Sequence, residues 1–345
     1  MTPQVFMNRL LRICWVACGL AAQGTDGLHE HARAQMRQAR QTGNVSFYEA
    51  ARRDVEKSLA LKPSDYESQK LETTLLLRQG EYTKARASAL LLRKRNMDDP
   101  EVHSLLAEAD LQLGNYKDVE ETVQWMLDLR PGNSLSLERA ATLRFYLGDV
   151  DGAAEMWNAA HRAVSDPEER SWMMTQLAEE QLAVGKTAVA AKVVPDTTYR
   201  PAKLVRAKVW YTEGKFAQAT DLLADVEPSY LRAQALQKAG KSVEAAQAFQ
   251  QFEQTARAKV DQPLNWNRDL ILYLVDQARK PVDALQVAKK ELERRKDVYT
   301  LDAYAWALQA NRQNQEARKI MEKIQAVGIR DTEILEHIRQ INPGR

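Results

Sequence analysis

The chain has 345 residues with 44% apolar and 28% charged side chains, the make-up of an ordinary folded protein, which excludes wholesale disorder. Lys and Arg number 49 against 47 Asp and Glu, and a balance of +2 is too small to mark a nucleic-acid binder. Two cysteines cannot build a disulfide scaffold and fall short of the ligand set of a structural zinc site.

At the N-terminus, Arg9 and Arg12 lead into an uncharged, mostly apolar run from Ile13 to Ala22, and Ala22-Gln23-Gly24 provides small residues at its exit. A basic start, a short apolar stretch and a small-residue exit predict a secretory signal peptide over residues 1–24. The run is too short to span a bilayer, which takes about 20 apolar residues. Cys18, preceded by Val16 and Ala17, offers a lipid-anchored variant that the bulky Trp15 disfavours, and an unprocessed cytosolic start is the other alternative. Cleavage would remove both cysteines, Cys14 and Cys18, and two cations, leaving 47 basic against 47 acidic residues. A chain without thiols suits an oxidising compartment.

Beyond the signal the sequence repeats. Gly80, Gly114 and Gly148 lie 34 residues apart, with Ala85, Val119 and Ala153 five residues behind them. Leu59, Leu61 and Pro63 close one unit as Leu127, Leu129 and Pro131 close another. Apolar residues recur at three and four throughout, so every unit reads as two helices, with glycine at the turn and proline at the stop. These residues resemble the tetratricopeptide repeat (TPR). The resemblance implies an all-α, right-handed α-solenoid of about nine helix–turn–helix units over residues 25–341. Regular units occupy about 29–165, and irregular ones about 166–260, where turn-glycine spacings change to 37, 29 and 26 and Pro195 and Pro228 shorten second helices. Regular units resume at about 264–331, with Arg279 and Arg312 in place of the turn glycine and Ala284 and Ala317 at the small position. A capping helix covers 331–341. Since such units bury their apolar faces only on neighbours, truncation is expected to erode stability unit by unit.

Chemistry-bearing patterns are sparse. No nucleophile motif, phosphate loop or dinucleotide fingerprint is present, so no catalytic residue and no cofactor is predicted. Of five histidines only His29 and His31 cluster, and on a helix two such rings point to nearly opposite sides, so no metal site is assigned. His103 is expected to be a partly buried, hydrogen-bonded core histidine. Glu120-Glu121 and Glu179-Glu180 read as solvated surface. Arg93-Lys94-Arg95 reads as a helix-end complement to the dipole. Asp110 and Arg144, 34 residues apart, are expected to form an ion pair that fixes the register of successive units.

First helices of TPR arrays line a concave groove, and the outward rows here carry Phe145, Tyr146, Trp172, Tyr211, Tyr230, Trp266, Tyr273, Tyr299 and Trp306. Large aromatics with polar handles carry much of the energy at interfaces, so this row is the expected partner-binding groove. The function implied is a non-catalytic scaffold, periplasmic or secreted, that holds a protein segment or folded partner. Nucleic acid is not an expected ligand, and self-association stays open. The alternatives are a cytosolic TPR adaptor, and an enzyme or enzyme regulatory subunit with a pocket in the irregular middle units.

Overall fold

A computed structural model of the chain describes residues 24–196, 199–226, 228–262 and 265–342. The expected signal, with both cysteines, lies outside the described residues except for Gly24. Nineteen α-helices and no strands occur among them. In chain order they form nine pairs: α1 (Thr25–Thr42) and α2 (Ser46–Leu61), α3 (Tyr66–Arg78) and α4 (Tyr82–Arg95), α5 (Pro100–Gln112) and α6 (Tyr116–Leu129). Next come α7 (Ser134–Tyr146) and α8 (Val150–Ala163), α9 (Pro167–Ala183) and α10 (Thr187–Val193), α11 (Arg200–Thr212) and α12 (Phe216–Leu222). The last pairs are α13 (Tyr230–Lys238) and α14 (Ser242–Ala258), α15 (Arg268–Asp276) and α16 (Pro281–Arg294), α17 (Val298–Ala310) and α18 (Asn314–Val327), with α19 (Thr332–Ile341) as the cap.

The pairs share one turn. At Gly80, Gly114, Gly148, Gly185, Gly214 and Gly240 the backbone is left-handed, with φ between 70° and 83°, and Arg279 and Arg312 adopt the same region at 54° and 62°. In most turns the next amide reaches back to close the last helical turn, as from Asn115 to the carbonyl of Asp110 and from Asp149 to that of Arg144, both at 2.9 Å. This is the Schellman closure, which satisfies carbonyls that a helix end leaves open. Five residues on, Ala85, Val119, Ala153, Ala190, Ala219, Ala245, Ala284 and Ala317 are all buried. They form the small position at which the two helices touch, and the chain is an all-α, TPR-like solenoid.

Two compact units divide the chain, one ending at Leu75 and the other beginning at Leu76. In the first, Ala32, Ala51, Val55, Leu71 and Leu75 form the core. In the second, α10 and α12 are only seven residues long. The first stops two residues before Pro195, and the guanidinium of Arg206 donates to the carbonyls of Val194 and Pro195 at 2.9 and 3.0 Å, satisfying the exposed end. Helix α12 stops at Leu222, well before Pro228, so proline does not end it; Lys203 pins the turn that follows through Asp225.

The later helices of the second unit return onto its earlier turns. The Lys296 amide donates to the Gln112 carbonyl at 2.8 Å, the Val298 amide donates to the Tyr116 hydroxyl at 2.9 Å, and the Thr332 hydroxyl donates to the Ala183 carbonyl at 3.0 Å. Arg295, buried, donates to the Tyr82 hydroxyl at 2.9 Å, lies over the Tyr82 ring at 5.2 Å and pairs with Glu291 at 2.9 Å. One continuous apolar cluster therefore runs from Ala107 through Phe145, Tyr146 and Tyr273 to Ile341.

Candidate partner-binding surfaces

This return determines what becomes of the expected aromatic groove. Phe145, Tyr146, Tyr230 and Tyr273 are buried in the main cluster, and Tyr299 packs edge-on against Tyr146 at 5.8 Å. Trp306 stacks on His337 at 4.1 Å and donates from its indole nitrogen to Asp276 at 2.9 Å. Trp172 is half-buried between two smaller clusters, and Tyr211 is half-buried against Phe216. Trp266 alone of the nine is exposed, at 49%, and one of its faces covers the Arg295 guanidinium at 4.6 Å. The row is thus spent largely on intramolecular packing, because large aromatics on an inner face satisfy neighbouring helices, or at Tyr146 a returning one, as well as a partner.

The register pair is likewise corrected. Asp110 is buried and accepts from Arg86 at 2.6 Å and from Asn115 at 2.7 Å, while Arg144 pairs with Asp149 at 2.9 Å. Arg86, on the second helix of the preceding unit, reaches Asp110 first, and Arg144 finds a carboxylate in its own turn.

Three polar clusters escaped the sequence reading, and none presents an open reactive group. His29, Ser58, Ser68 and Asp65 form a buried network in the first unit, with His29 Nε2 at 3.0 and 2.8 Å from the two hydroxyls and Ser68 donating to Asp65 at 2.9 Å. A nucleophilic triad needs the carboxylate on the other ring nitrogen and an accessible hydroxyl. Here the hydroxyls sit on one nitrogen and are sealed in the core, so the network is helix glue. His31, on the same helix, turns instead to Asp54 at 2.6 Å. In the second unit, His337 Nδ1 meets Asp302 at 2.8 Å, and Arg268 bridges Asp302 and Glu333 at 3.0 and 2.8 Å. The Glu179-Glu180 pair also departs from plain surface. Glu180 is buried under the indole of Trp157, which donates to it at 2.9 Å, and burial pushes its carboxyl well up. Among the described residues no group of three metal-ligating side chains occurs, and no helix is long and apolar enough to cross a membrane.

An open surface lies elsewhere, in a cleft of about 490 Å³ between α4, α5 and α6. Its three walls follow from helical periodicity. Arg86, Leu90 and Arg93 on α4, and Asp118, Thr122 and Trp125 on α6, are each spaced by four and three residues, so each set forms one stripe. On α5, running the other way, Asp110 falls at the Arg86 end and His103 at the Trp125 end. The first end is closed by ion pairs from Arg86 to Asp110 and Asp118, at 2.6 and 2.9 Å. The second, two helical turns away, is an apolar shelf: His103 stacks on Trp125 at 3.8 Å, and Met97 beside it is 65% exposed. His103 is 4% exposed and its Nε2 donates to the Met97 carbonyl at 2.9 Å, so it is a core histidine as expected. Burial, aided by the nearby Arg93 charge, lowers its pKa and keeps the ring neutral. Its Nδ1 has no hydrogen-bond partner. A Trp on the outward row of a second helix, 32 residues after Arg93, was the available sequence signal for this shelf.

Solved structures similar to this chain include a TPR repeat-containing protein. The APC/C hetero-tetramer Cut9–Hcn1 matches with a TM-score of 0.49 and 12% identity over 92% of this chain and 56% of that one, so the chain spans little more than half of it. The human IFIT1 dimer with PPP-AAAA matches with a TM-score of 0.46 and 15% identity over 98% of this chain and 77% of that one. The C-terminal part of a TPR repeat-containing protein from Cytophaga hutchinsonii matches at 0.39 and 14% identity over 78% and 99%. No family model and no curated protein matches the chain. The TPR-like assignment rests on the shared turn, the buried small position and the nine pairs described above.

Proposed function

We propose that the protein is a non-catalytic interaction scaffold that holds a segment of a partner protein in the outer cleft between α4, α5 and α6. One observation carries this reading. The inner aromatic row is largely taken up by packing within the array, Tyr146 on the returning Tyr299 and Tyr230 and Tyr273 on neighbouring helices, whereas the outer cleft combines the volume of a ligand site with an apolar shelf and polar walls. The proposal extends to export: the N-terminal pattern and the absence of cysteine after Cys18 support a periplasmic or secreted location, in a bacterial cell.

A photo-crosslinking amino acid placed at Met97 tests the site, with one at the still more exposed Val243 as control. A covalent adduct with a second polypeptide is expected from the first position and not from the second. Equal yields, or none at Met97, would remove the outer cleft as the binding surface. Fractionation with intact-mass measurement tests export, for which a mature start near residue 23 or 25 is expected and an uncut cytosolic chain refutes it.

A further inference from the structure

The cleft also specifies the chemistry of what it holds, an inference that rests on the scaffold reading above. Its cations are not equivalent. Arg86 is saturated by Asp110 and Asp118 at the closed end. Arg93 and Lys94, at the open end beside Trp125, have no ion-pair or hydrogen-bond partner among the described residues. Cations in the last turn of α4 complement the helix dipole, and that alone would leave them free to point to solvent. Instead both line the cleft, and the charge of Arg93 acts on the His103 ring at its floor.

We infer that the cleft binds an extended peptide segment in which a large apolar side chain lies next to carboxylates. The apolar side chain rests on the Trp125–His103 shelf, against Leu90 and Met97, and the carboxylates meet Arg93 and Lys94. The two parts reinforce each other. A segment that covers the shelf excludes water from the cations, and a carboxylate pair strengthens as its surroundings dry. A basic segment is disfavoured by the unpaired Arg93 and Lys94 at the open end. A nucleic-acid strand carries charge along its whole length and would also meet Asp118 and Glu121 on the α6 wall, whereas a short segment can confine its carboxylates to the side of Arg93 and Lys94.

Selection from a library of random acetylated hexapeptide amides, displayed on beads against the full chain, tests this. Bound peptides are expected to be enriched in Phe, Trp, Leu or Met flanked by Asp or Glu. They should bind at least tenfold more weakly to a Arg93→Glu, Lys94→Glu double variant, which itself should select basic peptides. Lys94 is exposed and Arg93 half-buried at the open end of the cleft, and an unaltered circular-dichroism melt shows that the variant is folded. Peptides without acidic enrichment, or whose binding survives the charge reversal but is lost in a Tyr211→Ala, Trp266→Ala variant, overturn the inference and leave the scaffold reading standing at another surface. Enrichment of no peptide on the intact chain overturns both.

Discussion

Arg279 and Arg312 occupy the turn position that six other units give to glycine, and both accept a positive φ there. For a residue with a Cβ this region costs about 1–2 kcal/mol, which glycine avoids at a smaller cost in unfolded-chain entropy. Both side chains are exposed, so nothing in the packing repays the strain. Arg279→Gly and Arg312→Gly are therefore expected to stabilise the protein by about 0.5–1 kcal/mol each, read as a rise in urea midpoint with unchanged slope. A loss of stability in either would mean that the arginine makes contacts that outweigh its backbone cost. The same two positions show how far local sequence reaches. Their sign of φ follows from their place in the repeat, although neither residue type suggests it.

At the scale of elements, the seam between α15, α17 and α19 carries the clearest pH dependence. Burial lowers the His337 pKa, but the hydrogen bond and charge of Asp302, with help from Glu333, outweigh it and the net direction is up. A raised histidine contributes stability that is complete below its ordinary value of about 6.5 and is lost as pH rises through the folded value. Unfolding free energy should accordingly fall as pH rises above about 6.5. His337→Gln should cost about 1–2 kcal/mol at pH 6, where the charged hydrogen bond is lost, and should flatten that slope. A variant that keeps the wild-type slope would place the titrating group elsewhere; Asp276 and Asp331, whose carboxyls burial pushes up, are the neighbours to examine. The helices themselves were legible from sequence because turn, small position and period are all encoded within one unit. His337 and Asp302 were not, since they meet over 35 residues with no repeat-wide signal to pair them. The aromatic row was legible as a row and misread in its use, because an inner aromatic has the same spacing whether it faces a partner or the chain's own C-terminal helices.

At the scale of the larger unit, closure changes the energetics from those of an open array. Stacked repeats contact only their neighbours, which underlies the expectation of stepwise loss on truncation. Here Tyr82 and Arg295 touch across 213 residues and Ala183 and Thr332 across 149, so early and late pairs should gain and lose stability together. Two glycines with nearly the same backbone isolate that term. A Cβ on Gly148, at φ +83°, would lie 2.2 Å from the carbonyl oxygen of Gly328, whereas one on Gly240, at φ +77°, would meet nothing within 4 Å. Both substitutions to alanine incur the left-handed strain of about 1 kcal/mol. Only Gly148→Ala must also displace a backbone carbonyl, which cannot rotate away as a side chain can, and overpacking of this kind adds about 1–3 kcal/mol. Urea unfolding should therefore show Gly148→Ala to be the more destabilised of the two by that difference, with faster amide exchange at both Gly328 and the turn after α7. Equal losses would mean that the return of the C-terminal helices contributes little and that the unit behaves as an open array. In that case the part of the inner row that the return covers, Tyr146 and Tyr299, would again be available to a partner, and the outer cleft would lose its priority as the binding surface.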